Sequence, residues 1–152
     1  TITAVNNRVL EVDLTSGNIG GFDIGDDLRR RYLGGKGLAI KLLYDHIQPG
    51  IDPLSPENIL VMATGPTTGT SCPAGGRFVV AGKSPLTGIY ASSYVGGRFG
   101  LSLKKAGYDA VMIRGRSISP VYIKIDDNDV SIRDASSLWG MDTYDLQENH
   151  KD

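Results

Sequence analysis

The sequence predicts an α+β domain: several short strands, a few short helices and many tight turns. Three observations lead there. Apolar runs of about five residues, the length of ordinary strands, recur along the chain at 8–14, 59–63, 77–81, 110–113 and 121–125. Two segments carry helical periodicity instead, at 36–47 and 98–106. Glycine occurs 20 times in 152 residues, roughly twice its usual share of about 7%. The glycines fall between the apolar runs and so punctuate structure. One domain over residues 1–152 follows, long enough to bury a core.

In chain order, RVLEVDL at 8–14 alternates imperfectly, as a half-buried strand does, and Thr15-Ser16-Gly17-Asn18 turns it back into a second strand at 19–24. Asp26 and Asp27 stand where a helix N-cap belongs. That helix runs to Leu33, buries Leu28 with Tyr32 or Leu33, and stops at Gly34-Gly35. A longer helix at 36–47 has Leu38, Ile40, Leu42, Leu43 and Ile47 as its apolar stripe, with Gln48-Pro49-Gly50 ending it. His46 in its last turn suits the negative end of the helix dipole.

After the proline-stiffened loop 50–58, strand 59–63 leads into an irregular segment at 64–76. Strands at 77–81 and 89–94 flank a tight turn at 83–88. Helix 98–106 opens on Gly96-Gly97 and takes Gly107 as its left-handed C′ residue. Residues 121–125 and 130–132, joined by Asp126-Asp127-Asn128-Asp129, form a hairpin whose acidic turn lacks calcium-loop spacing. Trp139 is expected to pack inward from a capped turn at 134–140, and the final dozen residues add no element. The glycine-led helices at 34 and 96, and the two hairpins, echo one another and suggest an internal duplication.

Chemistry concentrates between residues 65 and 109. Gly65-Pro66, Gly75-Gly76-Arg77 and Gly96-Gly97-Arg98 each bend the backbone, and two of the three bends end in an arginine. Free amides in a turn beside a guanidinium suit an anion, most often a phosphate. The bland alternative is that the glycines serve only the turns while the arginines are solvated. A nucleotide site is disfavoured, because no G-x-x-x-x-G-K-[ST] is present and no G-x-G-x-x-G follows a strand.

Composition excludes further classes. A net charge of −1 argues against nucleic acid as a partner. Cys72 is the sole cysteine, so an internal disulfide, an iron–sulfur cluster or a cysteine-rich zinc site cannot come from this chain alone. No apolar run reaches the ~18 residues of a membrane helix, and TITAVNNRVLEVDL lacks signal-peptide character. A cytoplasmic protein without membrane partners is expected.

The run GPTTGTSCPAGGRFVVAGKSPLTG, then GGRFG, then KKAGYDAVMIRG closely resembles the N-terminal domain of the tungsten-containing aldehyde ferredoxin oxidoreductases. The flanking segments RVLEVDLTSGNI, YLGGKGLAIKLLYD, DPLSPEN, PVYIKIDDNDVSI and SLWG resemble that family in the same order. The resemblance implies a base of two β-sheets beneath a bis-pterin cofactor. Tungsten or molybdenum is held by the pterin dithiolenes, and Mg²⁺ bridges the pterin phosphates. It implies that Arg77 contacts pterin phosphate and that Gly96 and Gly97 approach a pterin. It also implies that Tyr94 holds Mg²⁺ through its backbone carbonyl, at a position where the family often has Asn. Helical domains beyond this chain supply the [4Fe-4S] cysteines and the catalytic residues, so no residue here is expected to be catalytic. The implied reaction converts aldehyde and water to carboxylic acid and passes two electrons to ferredoxin.

Two features depart from the pattern. Val5-Asn6-Asn7 replaces the Trp-Gly pair common before the first strand, and Cys72 matches no cluster ligand, which leaves a small buried thiol as its expected role. A chain that stops short of the family's C-terminal part should expose an apolar face and form homo-oligomers. The alternative reading is a non-catalytic binding or assembly module that kept this fold and lost the enzyme.

Overall fold

The computed structural model describes residues 4–149. Its strands are β1 (Arg8–Asp13), β2 (Ile19–Asp23), β3 (Ile59–Thr64), β4 (Phe78–Lys83), β5 (Tyr90–Val95), β6 (Ala110–Arg114), β7 (Val121–Asp126) and β8 (Asp129–Asp134). The helices are α1 (Asp26–Tyr32), α2 (Gly35–His46), α3 (Phe99–Lys105) and α4 (Thr143–Asn149). The α+β class and the two sheets expected from the sequence are both present: a six-stranded sheet in the order β2-β1-β6-β3-β4-β5, and the hairpin β7-β8.

The imperfect alternation of β1 has a direct cause: both of its faces are covered. Val9 joins Leu38, Ala39, Leu42, Val61, Val79 and Met112 beneath α2. Leu10 and Val12 point the other way, toward Leu103, Tyr108 and Val111, with Ile123, Ile125, Val130 and Ile132 of the small sheet closing over them. β1 lies between antiparallel β2 and parallel β6, and β3 to β5 continue antiparallel.

Within α2 the buried residues are Leu38, Ala39, Leu42 and Leu43, while Ile40 is 41% exposed. At about 100° per residue, Ile40 stands some 200° round from Leu38, so the stripe is narrower than the apolar spelling indicates. The helix begins at Gly35 rather than Lys36. In α1 the N-cap is Gly25, without a side-chain bond, and Asp26 and Asp27 occupy the first turn, where the dipole still favours them. Leu28 packs, partly buried, against the core as expected, Leu33 is 59% exposed, and the fully buried residue of α1 is Arg29. His46 lies in the last turn of α2 as expected, its Nδ1 2.9 Å from the Leu42 carbonyl and its ring stacked on Phe22.

α3 ends as its sequence indicates. Gly107 has φ +90°, its N–H meets the Lys104 carbonyl at 3.2 Å, and the Tyr108 N–H meets that of Leu103 at 3.1 Å. This is a Schellman cap, sealed by apolar contact between Leu103 and Tyr108. The glycine-led helices sit on opposite faces of one sheet, α2 with twelve residues and α3 with seven.

Three further expectations fail. Trp139 is 78% exposed, because the turn that holds Ala135 inside leaves the indole outside. Cys72 is exposed, since the loop carrying it has no apolar layer above it. The final dozen residues do contain an element: Asp142 Oδ1 accepts the N–H groups of Tyr144 and Asp145 at 2.8 and 2.9 Å and caps α4. No helix among the described residues is long and apolar enough to cross a membrane.

Candidate functional site

The strand register decides which of the sequence-predicted residues meet. Phe78 pairs with Val95 at one end of the β4–β5 ladder, so Arg77 and Gly96 leave that end side by side. The chain then turns through Gly97, whose φ of +93° an L side chain rarely adopts, and enters α3. Phe99 comes back to pack on Phe78, with ring centroids 5.0 Å apart and the ring planes tilted by 47°. Gly100 allows the approach, because a Cβ there would lie 3.2 Å from Phe78. Two copies of Gly-Gly-Arg-Phe, at 75–78 and 96–99, are thereby joined through their phenylalanines.

Arg77, Gly96, Gly97 and Arg98 are all exposed, and nothing lies within 4 Å of where a Cβ would stand on Gly96 or Gly97. Neither guanidinium has a partner among the described residues. The donor set therefore consists of two unpaired guanidiniums and the main chain of an open glycine turn. That is the chemistry a phosphate or another oxyanion requires, and a phosphate-bearing cofactor fits it.

Tyr94 pairs with Val79 one step inside the ladder and is 56% exposed. Its side chain stands on the α2 face, opposite Phe78 and Val95. Any role Tyr94 takes on the second face therefore belongs to its main chain.

The second face is covered unevenly. α3 and the β7-β8 hairpin close it over β1 and β6. Over β3 to β5 it is open, forming a hollow of ≈ 340 Å³ whose lining includes Leu60, Val80, Gly82, Ala91 and Ser93. Small side chains on β4 and β5 leave a shallow floor there, and Phe78 and Val95 stand between it and the Arg77 end of the ladder.

Beneath this surface lies a buried polar hub that sequence reasoning missed. Asp109, wholly buried, takes Arg29 Nη2 at 2.6 Å and Lys104 Nζ at 2.6 Å. It also accepts the Asn6 and Asn7 N–H groups at 3.0 and 2.7 Å. Arg29, 1% exposed, spends its other donors on Asn7 Oδ1 and the Leu33 carbonyl. Burial holds the Arg29 guanidinium below its ordinary pKa, and the Asp109 carboxylate opposes that shift. The Val5-Asn6-Asn7 segment, a departure at the level of sequence, is thus tied into the core. The available signal was an aspartate directly before the buried run at 110–113, and nothing in the spelling couples it to Arg29, eighty positions away.

An α+β domain that offers unpaired guanidiniums beside a glycine turn has the form of an anion seat. The chain belongs to the aldehyde ferredoxin oxidoreductase family: residues 9–152 match that family's N-terminal domain. It is 50% identical over 133 residues to the tungsten-containing aldehyde ferredoxin oxidoreductase of Pyrococcus furiosus, covering 88% of this chain and 22% of that protein. It is 37% identical over 146 residues to the WOR-like subunit of an aliphatic sulfonate oxidoreductase from the same organism, covering 94% of this chain and 23% of that one. Among solved structures, the active-site complex BamBC of benzoyl coenzyme A reductase, bound to 1,5-dienoyl-CoA, matches with a TM-score of 0.92 at 40% identity. That match covers 96% of this chain and 22% of the other. The chain thus spans under a quarter of the length of these relatives, which are oxidoreductases.

Proposed function

We propose that this domain seats the phosphates of a tungsten-pterin cofactor within an aldehyde:ferredoxin oxidoreductase. The observation that carries the reading is the pair of Gly-Gly-Arg-Phe turns, brought together with both guanidiniums unpaired. Arg77 binds phosphate oxygen, bidentately where the anion presents two oxygens. Gly96 and Gly97 let the main chain come close without a Cβ in the way. The Tyr94 main-chain carbonyl would hold a Mg²⁺ ion bound with those phosphates. The shallow floor of Gly82, Ala91 and Ser93 offers flat rings a surface to lie along.

When bound, the group supplies the two-electron oxidation of an aldehyde, with water, to a carboxylic acid. This chain's residues bind and orient it, and none of them makes or breaks a bond. The [4Fe-4S] cluster, the acid–base residues and the route to ferredoxin belong to helical domains beyond these residues. The setting is the cytoplasm. The exposed apolar side chains Leu86, Ile118, Trp139 and Tyr144, each at least 78% exposed, are surfaces for those domains and for self-association.

Metal analysis and an aldehyde-dependent dye-reduction assay test the division of labour. The chain alone should give no aldehyde turnover. Sustained turnover by these 152 residues would place the chemistry in this domain and overturn the reading.

A further inference from the structure

Thr68 is 2% exposed although its neighbours Thr67 and Gly69 are both exposed. Its hydroxyl makes two bonds: Oγ1 accepts the Gly65 N–H at 3.2 Å and donates to the Arg77 carbonyl at 3.2 Å. A hydroxyl has one proton to give and lone pairs to receive, so both bonds can hold at once. The Thr68 N–H returns to the Gly65 carbonyl at 3.2 Å, which closes the turn. That carbonyl also accepts Lys104 Nζ at 3.3 Å, and Lys104 is paired with buried Asp109. A continuous polar chain thus runs from the core carboxylate through Lys104, Gly65 and Thr68 to the main chain of Arg77.

The Arg77 end of this chain matters most. Residues 69–76 form a surface loop, with Gly69, Thr70, Ser71, Cys72 and Pro73 all exposed, and Arg77 is where it rejoins the sheet. Its side chain has no partner among the described residues. With no side-chain partner, the main chain at residue 77 is what fixes the point and direction in which the Arg77 side chain leaves the sheet. Thr68 is the side chain that bonds that main chain from outside the β4–β5 ladder.

We propose that Thr68 is a positioning residue for the anion seat, aligning Arg77 through its carbonyl. The inference rests on the reading of Arg77 as a phosphate ligand. Holding the main chain from which a ligating side chain leaves spares binding the entropy of fixing that backbone. Loss of the Thr68 hydroxyl therefore weakens the anion while leaving every charged group in place.

The test is a titration with inorganic phosphate, followed by NMR at the Arg77 Nε–H and at the Gly96 and Gly97 amides. The parental chain is compared with Thr68→Val, Thr68→Ser, Arg77→Gln and Ile125→Val. Thr68→Val should weaken phosphate by about fivefold to tenfold, the equivalent of one hydrogen bond, and Thr68→Ser should restore it. Ile125→Val, a destabilising change in the β7-β8 hairpin, should leave affinity at the parental value. That control separates positioning from general loss of stability.

The two layers fail differently. No phosphate response in the parental chain, or an undiminished one in Arg77→Gln, overturns the anion seat itself. A response lost in Arg77→Gln but unchanged in Thr68→Val overturns the positioning role alone. Equal loss in Ile125→Val would assign the effect to stability and also overturn it. Should Thr68→Val fail to fold, amide exchange in the parental chain decides. Slow exchange at Gly65, whose N–H rests on the hydroxyl, supports the relay, and free exchange there rules it out.

Discussion

Replacing Asp109 with asparagine keeps the shape of the side chain and removes its charge. The carboxylate holds Arg29 and Lys104, each at 2.6 Å, and two main-chain N–H groups besides. An asparagine oxygen can still accept some of these donors. It cannot neutralise a guanidinium that is 1% exposed. Breaking a buried pair from one side costs about 3–5 kcal/mol, most of it the uncompensated charge left behind. For a chain of this length, that corresponds to a melting temperature lower by roughly 6–20 °C. Urea denaturation of Asp109→Asn against the parental chain measures it, and a double-mutant cycle with Arg29→Met isolates the pair. A loss below about 1 kcal/mol, or additivity within the cycle, would refute the view of Asp109 as the charge that anchors α1, α3 and the N-terminal segment.

Other consequences follow from single contacts. Gly100→Ala places a Cβ 3.2 Å from Phe78, so an overpacking cost of about 1–3 kcal/mol works against the roughly 1 kcal/mol alanine gains over glycine in a helix; the net loss should reach at most about 2 kcal/mol, with the Phe99 ring resonances moving in the same variant. Asp13 accepts the Ser16 and Thr15 N–H groups, which pull its carboxyl below the ordinary value of 3.8. A depressed folded-state pKa makes this turn fully effective above that value and weakens it as pH falls below. The Thr15 and Ser16 amide resonances, whose N–H groups rest on the carboxylate, should shift only at acid pH, and Asp13→Asn should remove the dependence. Light scattering at high concentration should report a dimer or larger species, reflecting exposed apolar side chains such as Leu86 and Ile118, and a clean monomer would contradict it.

The sequence made the local structure legible wherever one residue type leaves few options. Gly107 announces the end of α3, the Asp-Asn turn announces β7-β8, and apolar runs mark the covered strands. The GG-R spelling marked the candidate anion seat as well. Sequence could not reveal that its two copies meet, because that depends on the β4–β5 register and on Phe78 reaching Phe99. The burial of Arg29 runs against the ordinary exposure of arginine and is made tolerable only by a carboxylate brought from eighty positions away. The exposed indole of Trp139 fails in the opposite sense, since an aromatic residue suggests a core that this part of the chain does not build. The Asp142 cap of α4 was readable from its Asp-Thr start.

The most direct test of the central claim is phosphate binding by the parental chain against an Arg77→Gln Arg98→Gln variant, at fixed ionic strength. If these guanidiniums form the seat, phosphate shifts the Gly96 and Gly97 amides of the parental chain. The variant then binds at least about tenfold more weakly, the loss expected for charge-assisted hydrogen bonds. Equal affinity in the two proteins, with the same amides responding, would contradict the account.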